Sequence, residues 1–308
     1  MNWHSLARQV PVAAALVILS GLPLSSGPGL AGQPGQPDRP DRPADIGTWN
    51  SRVYFDGFWE TDSKARAAAE TIQPLFMSLQ HTGFVQARAG YDNSDWTFNA
   101  GLGWRYMLTD RTLLLGVNAW HDWTVEHEHR RWGLGAEAIG EVMTLRANYY
   151  GAYTGWRTIE DTATYRIEER AMKGLDAEIE TQLPYIPWAR VSAGWYHWDA
   201  TADDDVDGFK SRLKLDLTPY TRLETGISAD KTDTTGFLKL SFALGAPRDV
   251  KHTLTTTGLA SSQVVDKRDL KAMRLTRVER NHTVAVERRT LNKATGSFSG
   301  GVVFARGS

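Results

Sequence analysis

The feature that most restricts the fold is a two-residue alternation of apolar and polar side chains, recurring from about residue 50 to residue 245. In GFLKLSFAL, Leu238, Leu240, Phe242 and Leu244 share one face, and Lys239 and Ser241 share the other. FKSRLKLDL sets Phe209, Ser211, Leu213, Leu215 and Leu217 opposite Lys210, Arg212, Lys214 and Asp216. GLDAEIETQL sets Leu175, Ala177, Ile179 and Leu183 opposite Asp176, Glu178, Glu180 and Gln182. WTFNAGLGWRY sets Trp96, Phe98, Ala100, Leu102, Trp104 and Tyr106 opposite Thr97, Asn99, Gly101, Gly103 and Arg105. Such segments are strands. A soluble sandwich alternates in the same way, so alternation alone leaves sandwich and barrel open.

The connections discriminate. The pattern predicts strands at Asn50–Phe58, Glu70–Met77, Gly83–Tyr91, Trp96–Tyr106, Thr112–Asp122, Arg130–Ile139, Met143–Tyr153, Gly174–Leu183, Ala189–Trp198, Gly208–Leu217, Arg222–Asp230 and Gly236–Leu244. Short links (MLTDR, GEV, PYIPW, TPYT) alternate with longer ones (TVEHEHR, TADDDVD and the excursion TGWRTIEDTATYRIEERAMK). Short turns on one rim and long loops on the other mark an outer-membrane barrel. Trp59, Trp96, Tyr106, Trp120, Trp132 and Trp195 fall near strand ends, where a lipid interface holds aromatic rings. The expected fold is all-β: a transmembrane antiparallel up-and-down barrel of about twelve strands. Charges facing lipid at mid-strand cost about 2–4 kcal/mol, so Asp176, Glu178, Glu180, Lys210, Arg212 and Lys214 are expected to face the lumen.

The amino terminus reads as an export signal: Arg8, then the apolar run Val10 to Leu24, then small residues at Gly29 and Ala31. The expected division is a signal peptide at 1–31, a Pro-rich periplasmic linker at 32–48 and the barrel at 49–245. A pore-threading linker with a short helix follows at 246–280, then an exported hairpin or passenger stub at 281–308. The net charge of -1 gives no reason to expect nucleic acid as a partner, and the absence of cysteine excludes disulfides and thiolate chemistry.

From Ile46 to about Arg289 the chain resembles the β-domain of the inverse autotransporters, the intimin and invasin family. The resemblance rests on Trp120 with Asp122, on the run Arg131 to Gly135, and on Thr154-Gly155-Trp156. Beyond these it includes Tyr165, Glu168, Glu169, Arg170, Gly174 and Asp176, and the turn Leu183, Pro184 and Pro187. Two extra residues between Tyr165 and Glu168, and Met172 and Lys173 in place of the usual spacing, depart from the family pattern in a loop. Val278 to Asn281, Val284 and Val286 to Arg289 match the family segment that follows the last strand.

The resemblance implies a barrel with a periplasmic amino terminus and a carboxy terminus carried through the pore to the cell surface. Lys267, Arg268, Lys271, Arg274 and Arg277 would belong to the threading linker, whose basic character suits a lumen presenting Asp176, Glu178 and Glu180. Implied partners are outer-membrane lipid, the barrel-assembly machinery, periplasmic chaperones and a host-cell or cell-cell surface ligand. Family members usually carry immunoglobulin-like and lectin-like domains after the linker. The LNKATGSFSGGVVFARGS that follows Thr290 is too short to bury a core of that kind.

HEH at 127–129, near His121 and Asp122, has zinc-ligand character, but metal sites need convergent ligands and loops rarely hold them without a supporting shell, so the reading is a polar extracellular loop. Ser192 and His197 lie at odd spacing and face opposite sides of one strand, so no hydrolase triad forms. DATADDDVD lacks the glycine and terminal Glu of a calcium loop. No catalytic residue, metal or cofactor is expected. The expected function is an outer-membrane translocator of the type Ve kind, adhesin-like, that anchors and exports its own carboxy-terminal segment. The alternative is an outer-membrane channel whose tail plugs or gates the pore.

Overall fold

The structure is a computed structural model and describes residues 52–61, 65–92, 95–231, 233–245 and 250–303. The expected signal peptide and Pro-rich linker lie outside the described residues. Twelve strands close into one antiparallel barrel. They are β1 (Val53–Glu60), β2 (Arg66–Met77), β3 (His81–Asp92), β4 (Asp95–Met107), β5 (Leu113–Thr124), β6 (Arg130–Gly140) and β7 (Met143–Ala152). After an excursion come β10 (Lys173–Leu183), β11 (Ile186–Asp199), β12 (Val206–Thr218), β13 (Thr221–Asp230) and β14 (Thr234–Ala243), and β14 pairs with β1 to close the wall.

The alternation is inside out for a soluble protein. Leu102, Val117, Leu134, Phe209, Ile227 and Phe242 are exposed on the outer face. Asp56, Glu70, Arg105, Asp122, Arg131 and Glu178 are buried within. A continuous apolar exterior of this kind is unstable in water and is what a lipid-facing barrel requires. One aromatic assignment is corrected: Trp120 is 5% exposed and points inward, because Trp120 shares parity with buried Leu114, Asn118 and Asp122. Nearness to a strand end does not fix the face; parity does.

Both proline-bearing strands begin earlier than expected. β2 begins at Arg66 and carries Pro74 at a register shift, while β11 begins at Ile186 with Pro187 as its second residue. Both are positions where a strand tolerates the missing N–H. The excursion after β7 is not a plain loop. It holds β8 (Arg157–Asp161) and β9 (Tyr165–Ala171), which stand outside the barrel wall. Short-range periodicity missed them because β8 is five residues long and its pairing with β9 is irregular.

After β14, a short helix α1 (Leu254–Thr257) lies against β11 and β12. Thr253 caps its start, and Gly258 at φ 78° ends it, a conformation that favours glycine. A 3-10 turn follows at Ala272–Leu275, and the last described residues form a hairpin of β15 (Val286–Asn292) and β16 (Phe298–Val303). β15 pairs with β9, giving a second sheet in the order β16-β15-β9-β8.

Candidate functional site

The candidate site is the barrel interior and the segment that fills it. Near residues 261–268 the chain touches the short-turn rim: Ser261 N–H donates to Tyr185 O at 2.7 Å, and Arg268 N–H to Glu141 O at 2.9 Å. Arg274 still grips that rim, donating to Ser78 O and His81 O, both at 2.6 Å. The contacts then move across the barrel until Met172 N–H donates to Ala285 O at 2.9 Å, and β15 joins β9 at the long-loop rim. Between these points the partners come from β1, β2, β3, β4, β5, β6, β7, β12 and β14, so the segment is enclosed by the wall.

An irregular backbone inside a barrel must have its polar groups satisfied by side chains. Gln86 supplies both halves of a strand-like pair, accepting from Val278 N–H at 2.9 Å and donating to Val278 O at 3.4 Å. Arg105 donates to Arg274 O at 3.0 Å and Thr276 O at 2.8 Å. Asn99 donates to His282 O and Arg131 to Asn281 O, at 2.9 and 2.7 Å. Tyr150 accepts from Asn281 N–H and gives its own hydroxyl proton to Asp176, both at 2.7 Å.

Charge fixes the register. Arg277 reaches Asp56 at 2.9 Å and Glu70 at 3.2 Å, and its guanidinium lies 4.2 Å from the Tyr54 ring centroid. Arg280 binds both carboxylate oxygens of Asp122, at 2.7 and 2.8 Å, with Trp120 as a stacking surface at 4.7 Å. Between them Glu279 sits among Arg146 at 3.3 Å, Arg212 at 3.0 Å and Lys214. Buried ion pairs contribute little net stability, but a misplaced charge is costly, so this alternation selects one position of the segment.

Each residue named from the sequence has a place. Glu178 contacts Arg146, Arg212 and Lys210, and Glu180 contacts Arg146 and Lys214. Asp176 is held by Tyr150 and Asn148. Glu178 and Glu180 are therefore answered chiefly by wall cations and Asp176 by neutral wall donors, and the linker residue that enters the group is the acid Glu279. The expected match of a basic linker to Asp176, Glu178 and Glu180 holds only for Arg268, 3.9 Å from Glu180. Lys267 pairs with Glu141 at 2.6 Å on the short-turn rim, and Lys271 is exposed. Asp56, Glu70, Gln86, Asn99, Arg105 and Tyr150 were missed as partners of the segment. Their inward parity was the available signal.

At the opposite rim, successive residues of β9 and β15 pair with opposite charge. Arg170 meets Glu287 at 2.7 Å, Glu168 meets Arg289 at 2.8 Å, and Glu169 pairs with Arg288 between them. Cross-strand partners of opposite sign stabilise and align a ladder. The N–H groups of Thr201 and Ala202 also donate to Glu287, at 2.8 and 3.0 Å. Trp156 lies beneath Arg289 at 4.0 Å, Tyr165 donates to Glu160 at 2.6 Å, and Gly155 touches nothing where a Cβ would stand. At Gly174 a Cβ would fall 2.3 Å from Trp198, so glycine is required for that close approach.

Lys293 donates a hydrogen bond that holds the Asp161 carboxyl below its usual range, and the bond to Glu160 raises the Tyr165 hydroxyl. Burial pushes the Glu169 carboxyl up, but His127, His129 and Arg288 outweigh it and hold that group well below the carboxylate range. Ser192 is buried inward while His197 sits on the outer face with Asp199 and Asp207, so the two do not meet.

A sequence model described as "Inverse autotransporter, beta-domain" matches residues 47–282. Among curated proteins, the chain is 27% identical to the inverse autotransporter adhesin YeeJ of Escherichia coli K12, over 76% of this chain and 10% of that protein. It is 29% identical to the invasin of Yersinia enterocolitica over 46% of this chain and 16% of that protein. The putative attaching and effacing protein homolog of Escherichia coli K12 is 29% identical over 39% of this chain and 40% of its own length. The matched regions thus span less than half of these relatives. Among solved structures, one from "Unveiling the Mechanism Behind the in-meso Crystallization of Membrane Proteins" superposes with a TM-score of 0.62. It has 16% identity and covers 77% of this chain and 99% of that one, a likeness of fold.

Proposed function

The chain belongs to the inverse autotransporter β-domain family, and on that premise we propose that its outer-membrane barrel passes its own carboxy-terminal segment to the outer face and anchors it there. The supporting observation is the single crossing of residues 268–286 from the short-turn rim to the long-loop rim, with charged partners at each step. Short turns face the periplasm in outer-membrane barrels, so the crossing runs outward. The amino terminus is then periplasmic and the hairpin of β15 and β16 external. An exported end held this way presents itself to a host-cell or neighbouring-cell surface, as an adhesin does. An epitope tag placed after Ser308 should be accessible to antibody on intact cells. Accessibility only after outer-membrane permeabilisation would refute export.

A second reading, a channel, is favoured by the cavity left beside the segment, lined by Arg88, Arg190, Arg222, Glu224 and Lys239. It requires steady single-channel conductance of the full chain in a planar bilayer. A closed bilayer at full insertion would exclude it.

A further inference from the structure

The polar loop between β5 and β6 is not isolated. β9 brings Glu169 to His127 and His129, and the three offer ligand atoms that lie within 4.8 Å of one another. The Glu169 Oε2 atom stands 3.1 Å from His127 Nδ1 and 3.6 Å from His129 Nε2. In a tetrahedral zinc site with bonds of about 2.0–2.1 Å, ligand atoms are separated by roughly 3.3 Å, so the two observed distances straddle that edge.

Two further features point to a ligand. His129 is 1% exposed, and its Nε2 has no hydrogen-bond partner. Thr154 Oγ1 lies 3.3 Å from Nδ1, and in the tautomer protonated at Nδ1 the Nε2 lone pair faces a carboxylate oxygen. Two acceptors facing each other in a buried place repel unless a cation lies between them. The other oxygen, Oε1, is taken by Arg288, which orients the carboxylate and leaves Oε2 turned to the imidazoles. A Thr behind one histidine and an Arg behind the glutamate are the kind of supporting contacts that metal ligands have.

We propose that His127 Nδ1, His129 Nε2 and Glu169 Oε2 form a zinc-type divalent transition-metal site that ties the β5–β6 loop to β9. Two imidazoles and one carboxylate suit zinc, with a fourth position left for water. The site lies where β15 docks, so the metal would fasten the outer loops that receive the hairpin. The proposal stands on this geometry and does not depend on export.

The test uses the full mature chain, folded in detergent and free of any histidine tag. Zinc is titrated against a chromophoric chelator, and cobalt binding is followed by its visible absorption. One zinc per chain is expected, weakened at least tenfold by each of His127→Ala, His129→Ala and Glu169→Gln. His197→Ala, in the separate cluster with Asp199 and Asp205, should leave it unchanged. Folding of every variant is checked by its shift on unheated gels. Because Glu169→Gln touches a buried position, the half-exposed His127→Ala and the intense tetrahedral cobalt spectrum of the unaltered chain are independent readouts. No stoichiometric binding, binding lost only in His197→Ala, or a weak octahedral cobalt spectrum would overturn the site.

Discussion

Arg280 is the most constrained side chain of the interior segment: 4% exposed, bound through two nitrogens to Asp122, and stacked on Trp120. Arg131 reaches the same carboxylate at 2.8 Å, so Asp122 is shared between the wall and the segment. Arg280→Ala should lower stability by about 3 kcal/mol, near the lower end for a broken buried pair because Arg131 stays in place. Urea unfolding of the detergent-folded protein, followed by gel shift, measures this. Adding Asp122→Asn should lower stability further, since it leaves the fully buried Arg131 without its carboxylate. The pairing of Arg280 with Asp122 was not legible in sequence, although both residues were picked out as family positions. They lie 158 positions apart, and only closure of the barrel brings them together.

At the scale of elements, strand parity was legible in β4, β10, β12 and β14, whose inward sets follow it. The β8–β9 hairpin was not, because its stabilising partner is a strand more than a hundred residues away. Two predictions belong to this sheet. Glu287 is 1% exposed and accepts from two loop N–H groups as well as Arg170. Glu287→Ala strands those donors, at a cost of about 1–3 kcal/mol. Amide exchange at Thr201, Ala202 and along β15 should therefore accelerate roughly tenfold or more.

Asp161 titrates below the ordinary aspartate value of about 3.8 because Lys293 hydrogen-bonds it. A depressed carboxylate contributes stability above its unfolded value and loses it as pH falls through the folded value. The sheet tip should thus be indifferent between pH 5 and 8 and loosen only below about 4. Exchange protection near Thr162 and Lys293, corrected for the intrinsic pH dependence of exchange, would stay unchanged below about pH 4 if the pair were unimportant.

For the whole molecule, wall and segment are electrostatically one body. Asp56, Glu70 and Asp122 face Arg277 and Arg280, and Arg146, Arg212 and Lys214 surround Glu279. Deleting the chain after Leu244 leaves unbalanced charge in the interior. The barrel should still close, since strand pairing is intact, but its urea midpoint should fall. An unchanged midpoint would mean that water replaces the segment without loss. The number and order of the barrel strands were readable from alternation and turn spacing. Which charge meets which was not, because composition identifies the sign of a segment, while register decides contacts residue by residue.

The antiparallel docking of β15 on β9 has a mechanical consequence. β9 is tied to the barrel at its Ala171 end, and β15 leaves the barrel at Val286, opposite Ala171 in the ladder. A load drawn away from the barrel at Asn292 therefore acts along the strands, and the β9–β15 hydrogen bonds bear it together in shear. β16 returns so that Val303 lies opposite Val286. The same load applied beyond Val303 opens the β15–β16 bonds one at a time, like a zipper. The hairpin is thus built to yield progressively at its outer strand while its inner strand stays fast, a fuse in series with an anchor.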